Sequence, residues 1–176
     1  MSRQAITKGW YARFERVTEE TVRAMLDLAE VRPGEMVYDI GCGNGGILLE
    51  AQRRGARVAG VDIYPSRVNR TKRLTGETSL IVHGDIFDDV FWRHKGSEMP
   101  YVVGEADVVT LFLNSKMNNR LRPLLEEELR PGTRVVSNYW EIDDWRTITS
   151  FIRGDPELAI YMYKVPDSFS PISGYR

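Results

Sequence analysis

Three aspartates close three successive apolar runs: Asp39 in VYDIGCGNGG, Asp62 in GVDIYP and Asp85 in HGDIF. The first stands just ahead of a turn that holds Gly41, Gly43, Gly45 and Gly46. Glycines let a backbone approach a ligand closely, and a helix that follows such a turn offers N–H groups to a negative group. Read as Gly41-x-Gly43-x-x-Gly46, the turn has the spacing of a dinucleotide fingerprint. Asp62 lies about 20 residues further on, where a carboxylate accepts from ribose hydroxyls.

Up to that point NAD and S-adenosylmethionine are served equally well. Asp39 separates them, because it puts a carboxylate at the strand end, where a hydride-transfer site keeps an apolar residue. S-adenosylmethionine carries an α-ammonium and a sulfonium that pair with an acid directly or through water. Asp85 adds a group that can accept from the adenine amine while Ile86 or Phe87 packs on the ring, and Ile63 belongs to the same cofactor set as Asp62. A strand-end aspartate taken alone reads equally well as a cap or turn residue. Together with the glycines, the three favour the methyl donor.

The elements that must place these residues follow from periodicity. TEETVRAMLDLAEV has Val22, Met25, Leu26 and Ala29 at helical spacing, with Thr18 as N-cap and acids in the first turn. MVYDI, ARVAGVDI, TSLIVHGD, ADVVTLFLN and TRVVSNYW read as five strands, the fourth apolar enough for a central parallel position. GILLEAQRRG and PSRVNRTKRL read as helices between them, with Pro65 suited to a first helical position. KMNNRLRPLLEEELRPG is a helix expected to break or restart at Pro123, and IFDDVFWRHKGSEMPYVVGE a short helix plus loop. RTITSFI and ELAIYMYKV flank RGDP as an antiparallel hairpin at a sheet edge. Alternating strands and helices predict a doubly wound α/β sheet, mostly parallel, with helices on both faces.

The chain has 176 residues, 42% of them hydrophobic, and this suits one globular domain over residues 1–176. A net charge of −1 gives no general attraction to nucleic acid. No apolar run has the length of a membrane span or signal core, so a cytoplasmic enzyme that does not engage membranes is expected. Cys42 is the single cysteine, read as a small residue in a crowded turn. His83 and His94 form no spaced ligand set, so no metal is predicted. The basic run 67–73 reads as a solvated helix face. Residues 1–17, with Trp10, Tyr11 and Phe14 among Lys8, Arg13 and Arg16, read as a lid over the cofactor or a helix docked on the sheet.

VYDIGCGNGG, GVDIYP, HGDIF and ADVVTLFLN resemble the successive motifs of class I S-adenosylmethionine-dependent methyltransferases. The resemblance implies a Rossmann-like seven-stranded sheet with a C-terminal antiparallel hairpin. It implies that Gly41, Gly43 and Gly45 line the methionine moiety, Asp62 the ribose, and Asp85 with Ile86 the adenine. DLAEVRPGEMVYDIGCGNGGILLEAQRRGARVAGVDI and ADVVTLFLNSKMNNRLRPLLEEELRPGTRVVSNYWEIDDW are similar to a narrower group, the small archaeal protein-lysine methyltransferases and their mitochondrial relatives. In that group a threonine opening the first helix lies near the cofactor carboxylate, the place of Thr18 here, for which a plain N-cap is the other reading. Asn114 stands where the group commonly has proline, and Asn138 where it commonly has histidine.

A methyl acceptor must be held in line with the sulfonium and stripped of water. FLNSK places Asn114 at the fourth strand's end, able to accept from or orient an amine, and it is not the Asp/Asn-Pro-Pro-aromatic motif of adenine and glutamine amino-methyltransferases. Tyr139 and Trp140 either wall an acceptor channel, stacking on a cationic amine, or pack under the terminal hairpin. The expected acceptor is a protein lysine. A small-molecule amine, hydroxyl or acid is the second reading, and a non-catalytic cofactor-binding module the third.

Overall fold

The computed structural model describes residues 17–88, 91–92, 103–153 and 158–169. Seven strands are β1 (Met36–Ile40), β2 (Arg57–Asp62), β3 (Leu80–His83), β4 (Val108–Leu111), β5 (Arg134–Asn138), β6 (Thr149–Arg153) and β7 (Leu158–Lys164). Four α-helices are α1 (Glu19–Leu28), α2 (Gly46–Arg53), α3 (Pro65–Thr75) and α4 (Ser115–Glu128). The sheet order is β3-β2-β1-β4-β5-β7-β6. β1 to β5 run parallel, and β7 joins β5 antiparallel with β6 outside it. This is the doubly wound sheet and edge hairpin expected from the sequence.

Every residue of β1 is buried, as suits a strand covered on both faces. Successive side chains alternate between the faces. Tyr38 and Ile40 join Leu121 and Leu125 of α4 in one core, whereas Val37 joins Met25, Leu26 and Leu48 of α1 and α2 in the other. Fully burying one such side chain stabilises by about 1.5–3 kcal/mol. Asp39 lies on the second face, opposite Gly60 of β2 and Thr110 of β4. The strand order reverses between β1 and β4, and a ligand crevice belongs there, outside the carboxyl ends of the strands.

Local signals act as read. Thr18 caps α1, its side chain accepting from the Thr21 N–H at 3.1 Å, and Pro65 opens α3. One expectation is corrected: α4 continues through Pro123 without a break. Pro123 faces solvent while Leu121 and Leu125 on either side are fully buried, so packing on the sheet overrides the lost hydrogen bond. In the β3–β4 connection, Trp92 is buried and donates to the Ile86 carbonyl, and Val103–Glu105 form one 3₁₀ turn. The rest of its predicted helix, His94 and the proposed lid aromatics Trp10, Tyr11 and Phe14 fall outside the described residues. No described helix is long and apolar enough to cross a membrane.

Candidate active site

The glycine turn is tied to the end of β2. The N–H groups of Gly41 and Cys42 donate to the Val61 carbonyl at 2.9 and 3.0 Å, and that of Gly43 donates to Asp62 Oδ2 at 2.9 Å. The Gly45 N–H donates to the Cys42 carbonyl at 2.9 Å. A turn that cradles phosphate aims such donors at the ligand. Here four of them are engaged within the protein, which disfavours a pyrophosphate and leaves the turn suited to a group that does not need them.

Gly41, Gly43 and Gly45 all have positive φ. A Cβ on Gly41 would lie 3.0 Å from the Leu113 side chain, and one on Gly45 would lie 2.8 Å from Thr71. Gly41 therefore keeps open the space beside the crevice, whereas Gly45 lets α3 approach as the cap of α2. Thr71 also donates to the Gly43 carbonyl at 3.1 Å. Cys42 is buried, and burial pushes its thiol well above the usual range, so it is an unreactive filler of the turn.

Asp39 is 3% exposed and accepts from Thr110 Oγ1 at 2.8 Å. Burial, with the nearby Asp62 charge adding to it against the Thr110 hydrogen bond, raises its carboxyl from 3.8 to about 7. Burial of this kind favours the neutral acid, and a cation brought beside it would favour the ionised form. Asp62, also buried, accepts from Gly43 through Oδ2 and from the Tyr64 N–H through Oδ1 at 2.8 Å, with Arg67 at 3.8 Å. Each carboxylate oxygen has a second lone pair to offer a ribose.

A cavity of about 60 Å³ sits at the switch point, lined by Gly41, Asp62, Ile63 and Ile86 together with Ile40, Val61, Gly84, Leu113 and Met117. The structure thus brings together four of the sequence-derived cofactor residues. Asp85 is not in this lining; its Oδ1 accepts from the Phe87 N–H at 3.1 Å, in the turn that delivers Ile86. Gly43, Gly45 and Asp39 act behind the lining, and Thr18 is placed as the cap of α1. A larger cavity of about 540 Å³ opens at the opposite end of the strands. Arg134 there is held by Glu35 and the Ala29 carbonyl, and Arg130 by Asp107, so its cations serve the fold.

Of the residues expected to meet an acceptor, Asn114, Tyr139 and Trp140, none lines the switch-point cavity; Asn114 is the N-cap of α4, its Oδ1 accepting from the Met117 N–H at 2.9 Å. Tyr139 and Trp140 are 42% and 43% exposed, their rings edge-to-face at 5.0 Å, so neither is packed away under the hairpin. Tyr139 has φ 68°, and the Trp140 N–H donates to the Asn138 carbonyl at 2.9 Å, a left-handed γ-turn. For a tyrosine such strained backbone costs on the order of 1–3 kcal/mol. Sequence reading missed Thr110, Leu113, Met117 and Asn118; Thr110 is found only from the register of β1 on β4, Leu113 from the connection between β4 and α4, and Met117 and Asn118 from the turn of α4 over the sheet. No cluster of three or more His, Cys, Asp or Glu able to hold a metal occurs among the described residues.

The residues present fit S-adenosylmethionine: a buried acid for its cationic methionine end, Asp62 for its ribose and an apolar slot with Ile86 for its base. Fold and site together define a class I S-adenosylmethionine-dependent methyltransferase. Residues 39–149 match the ANTKMT methyltransferase domain, and the chain belongs to that family. It is 33% identical over 157 residues to a protein-lysine N-methyltransferase of Saccharolobus islandicus, covering 84% of this chain and 89% of that one. It is 25% identical to a probable cobalt-precorrin-6B C(15)-methyltransferase of Methanobrevibacter smithii, over 68% of this chain and 62% of the other. Among solved structures, an RNA methyltransferase from Salinibacter ruber in complex with S-adenosyl-L-homocysteine aligns at TM-score 0.73 and 31% identity, covering 87% of this chain and 95% of that one.

Proposed function

We propose that the chain transfers methyl groups from S-adenosylmethionine to lysine side chains of proteins. The observation that carries this reading is the 33% identity to the Saccharolobus islandicus protein-lysine N-methyltransferase across nearly the length of both chains. The site chemistry supports it. The exits of β4 and β5 present Asn114, Tyr139 and Trp140, an amide and two aromatic rings. A hydroxyl acceptor needs its proton removed during attack, whereas a neutral amine attacks through its lone pair and needs only acceptors and a face for its cationic product.

The cofactor supplies an electrophilic methyl carbon on a positively charged sulfur. A lysine nitrogen would take that carbon to form the new C–N bond, the C–S electron pair would stay on sulfur, and a proton would leave the product ammonium to water. The roles of this chain are to hold the cofactor through Asp39, Asp62 and the glycine turn, and to align the amine between Asn114 and the two rings.

A cell lysate incubated with methyl-labelled donor tests the reading. Label is expected in protein bands that disappear with protease and survive nuclease, with mass spectrometry placing it on lysine. Label confined to small molecules refutes it. Label lost to nuclease instead establishes a second reading, an RNA acceptor, which the Salinibacter ruber relative and the exposed cations Arg70, Lys72 and Arg73 of α3 favour.

A further inference from the structure

Asn118 is fully buried between Met117 and Leu121 on α4, where an apolar side chain of similar size would pack without polar cost. Its Nδ2 donates to Ser137 Oγ at 3.0 Å and to the Trp140 carbonyl at 3.1 Å. Ser137 Oγ donates to that same carbonyl, so both of its lone pairs are taken and its direction is set. Asn118 Oδ1 is buried without a partner among the described residues. An unsatisfied buried oxygen is a standing penalty that a residue present only for packing would not carry.

The carbonyl so held belongs to Trp140, the residue whose N–H closes the strained turn at Tyr139 on the Asn138 carbonyl. On its other side the Tyr139 N–H donates to the Ala159 carbonyl of β7 at 2.6 Å. The turn is therefore clamped from α4 and from β7, and the two exposed rings follow from the orientation of its peptides. Strain over-determined by its surroundings is characteristic of positions that present a side chain for binding.

We propose that Asn118 is a positioning residue for the methyl acceptor: its carboxamide locks the turn that presents Tyr139 and Trp140 before the cofactor seat. This rests on the reading that those rings wall the lysine site. Asn118 does not touch the acceptor or the cofactor; it acts through Trp140.

Asn118→Leu, Ser137→Ala, Trp140→Ala and the double variant Asn118→Leu/Trp140→Ala are compared with the wild-type chain, using total lysate protein as acceptor. Loss of the hydrogen bonds from Asn118 to the Trp140 carbonyl and to Ser137 should raise the half-saturating acceptor concentration about tenfold in Asn118→Leu. Calorimetric affinity for S-adenosylhomocysteine should stay within about twofold. Ser137→Ala should shift acceptor saturation in the same direction by about threefold. In the Trp140→Ala background, Asn118→Leu should cost clearly less than it does in the wild-type chain, only its effect through Tyr139 remaining, the mark of one residue acting through another. The indole N–H resonance of Trp140, assigned with Trp140→Phe, should move in both Asn118→Leu and Ser137→Ala.

Multiplying effects in the double variant overturn the proposal, as does a parallel loss of cofactor affinity or an unmoved Trp140 resonance. Should Asn118→Leu fail to fold, the resonance and acceptor saturation of Ser137→Ala decide. A wild-type chain that labels no lysate protein refutes the lysine reading, whereas an unmoved resonance refutes the positioning role.

Discussion

Asn in place of Asp39 should make the chain more resistant to alkaline pH and poorer at holding its cofactor. The folded chain binds the Asp39 proton more tightly than the unfolded chain does, since burial lifts the carboxyl from 3.8 to about 7. At about 1.36 kcal/mol per tenfold, the ionised form costs the fold about 4 kcal/mol once the pH exceeds 7. This penalty is absent below pH 4, grows as the pH rises toward 7, and is constant above. Between pH 5 and pH 8 it increases by roughly 2–3 kcal/mol. Asp39→Asn keeps an oxygen for Thr110 and has nothing to ionise. Its stability relative to wild type, from urea unfolding of the cofactor-free chains, should therefore improve by that amount from pH 5 to pH 8. Any fixed effect of the substitution cancels in the comparison. At pH 8 the same variant should bind S-adenosylhomocysteine about tenfold more weakly, for want of a carboxylate to face the α-ammonium. A stability difference that is the same at both pH values would refute the buried-charge argument, and unchanged affinity would refute the pairing.

Thr110→Val removes the donor on Asp39 while preserving shape, and should destabilise by about 1–3 kcal/mol at pH 8 in urea unfolding. It should also move the pH dependence of cofactor binding upward, since the Thr110 hydrogen bond lowers the Asp39 carboxyl. Gly45→Ala sets a methyl 2.8 Å from Thr71 at φ 81°, and thermal unfolding should show a loss of about 2 kcal/mol or more. Asp62→Asn turns an N–H toward either the Gly43 or the Tyr64 N–H, and calorimetry should find cofactor affinity reduced at least about tenfold.

Strands were legible where burial on both faces left a continuous apolar run, so MVYDI coincides with β1 from end to end. α4 was legible as a helix but not as an unbroken one, because propensity at Pro123 is local and the burial of Leu121 and Leu125 that outweighs it is not. The candidate cofactor seat was legible through its glycines and Asp62, and Asp39 through its place at the end of β1. Their division of labour was not: whether a glycine opens a cavity or admits a neighbouring helix depends on what stands opposite, Leu113 for Gly41 and Thr71 for Gly45. Thr110 lies 71 residues from Asp39, and only strand register makes them neighbours. Asn118 looked like one polar residue in a polar stretch, and its importance rests on a strained turn some twenty residues later in the chain.

The glycine turn belongs to β1 in sequence but is fastened to β2 through Val61 and Asp62, and to α3 through Thr71. It cannot take shape while the first strand stands alone; its conformation is completed only when the second βα unit has docked. The ligand seat should accordingly appear late and all at once as the chain folds, and amide protons of Gly41 and Gly43 should exchange only when β1 and β2 part. Affinity for the cofactor is in this sense a property of strand pairing, as vulnerable to a poorly packed residue on β2 as to any change in the glycines themselves.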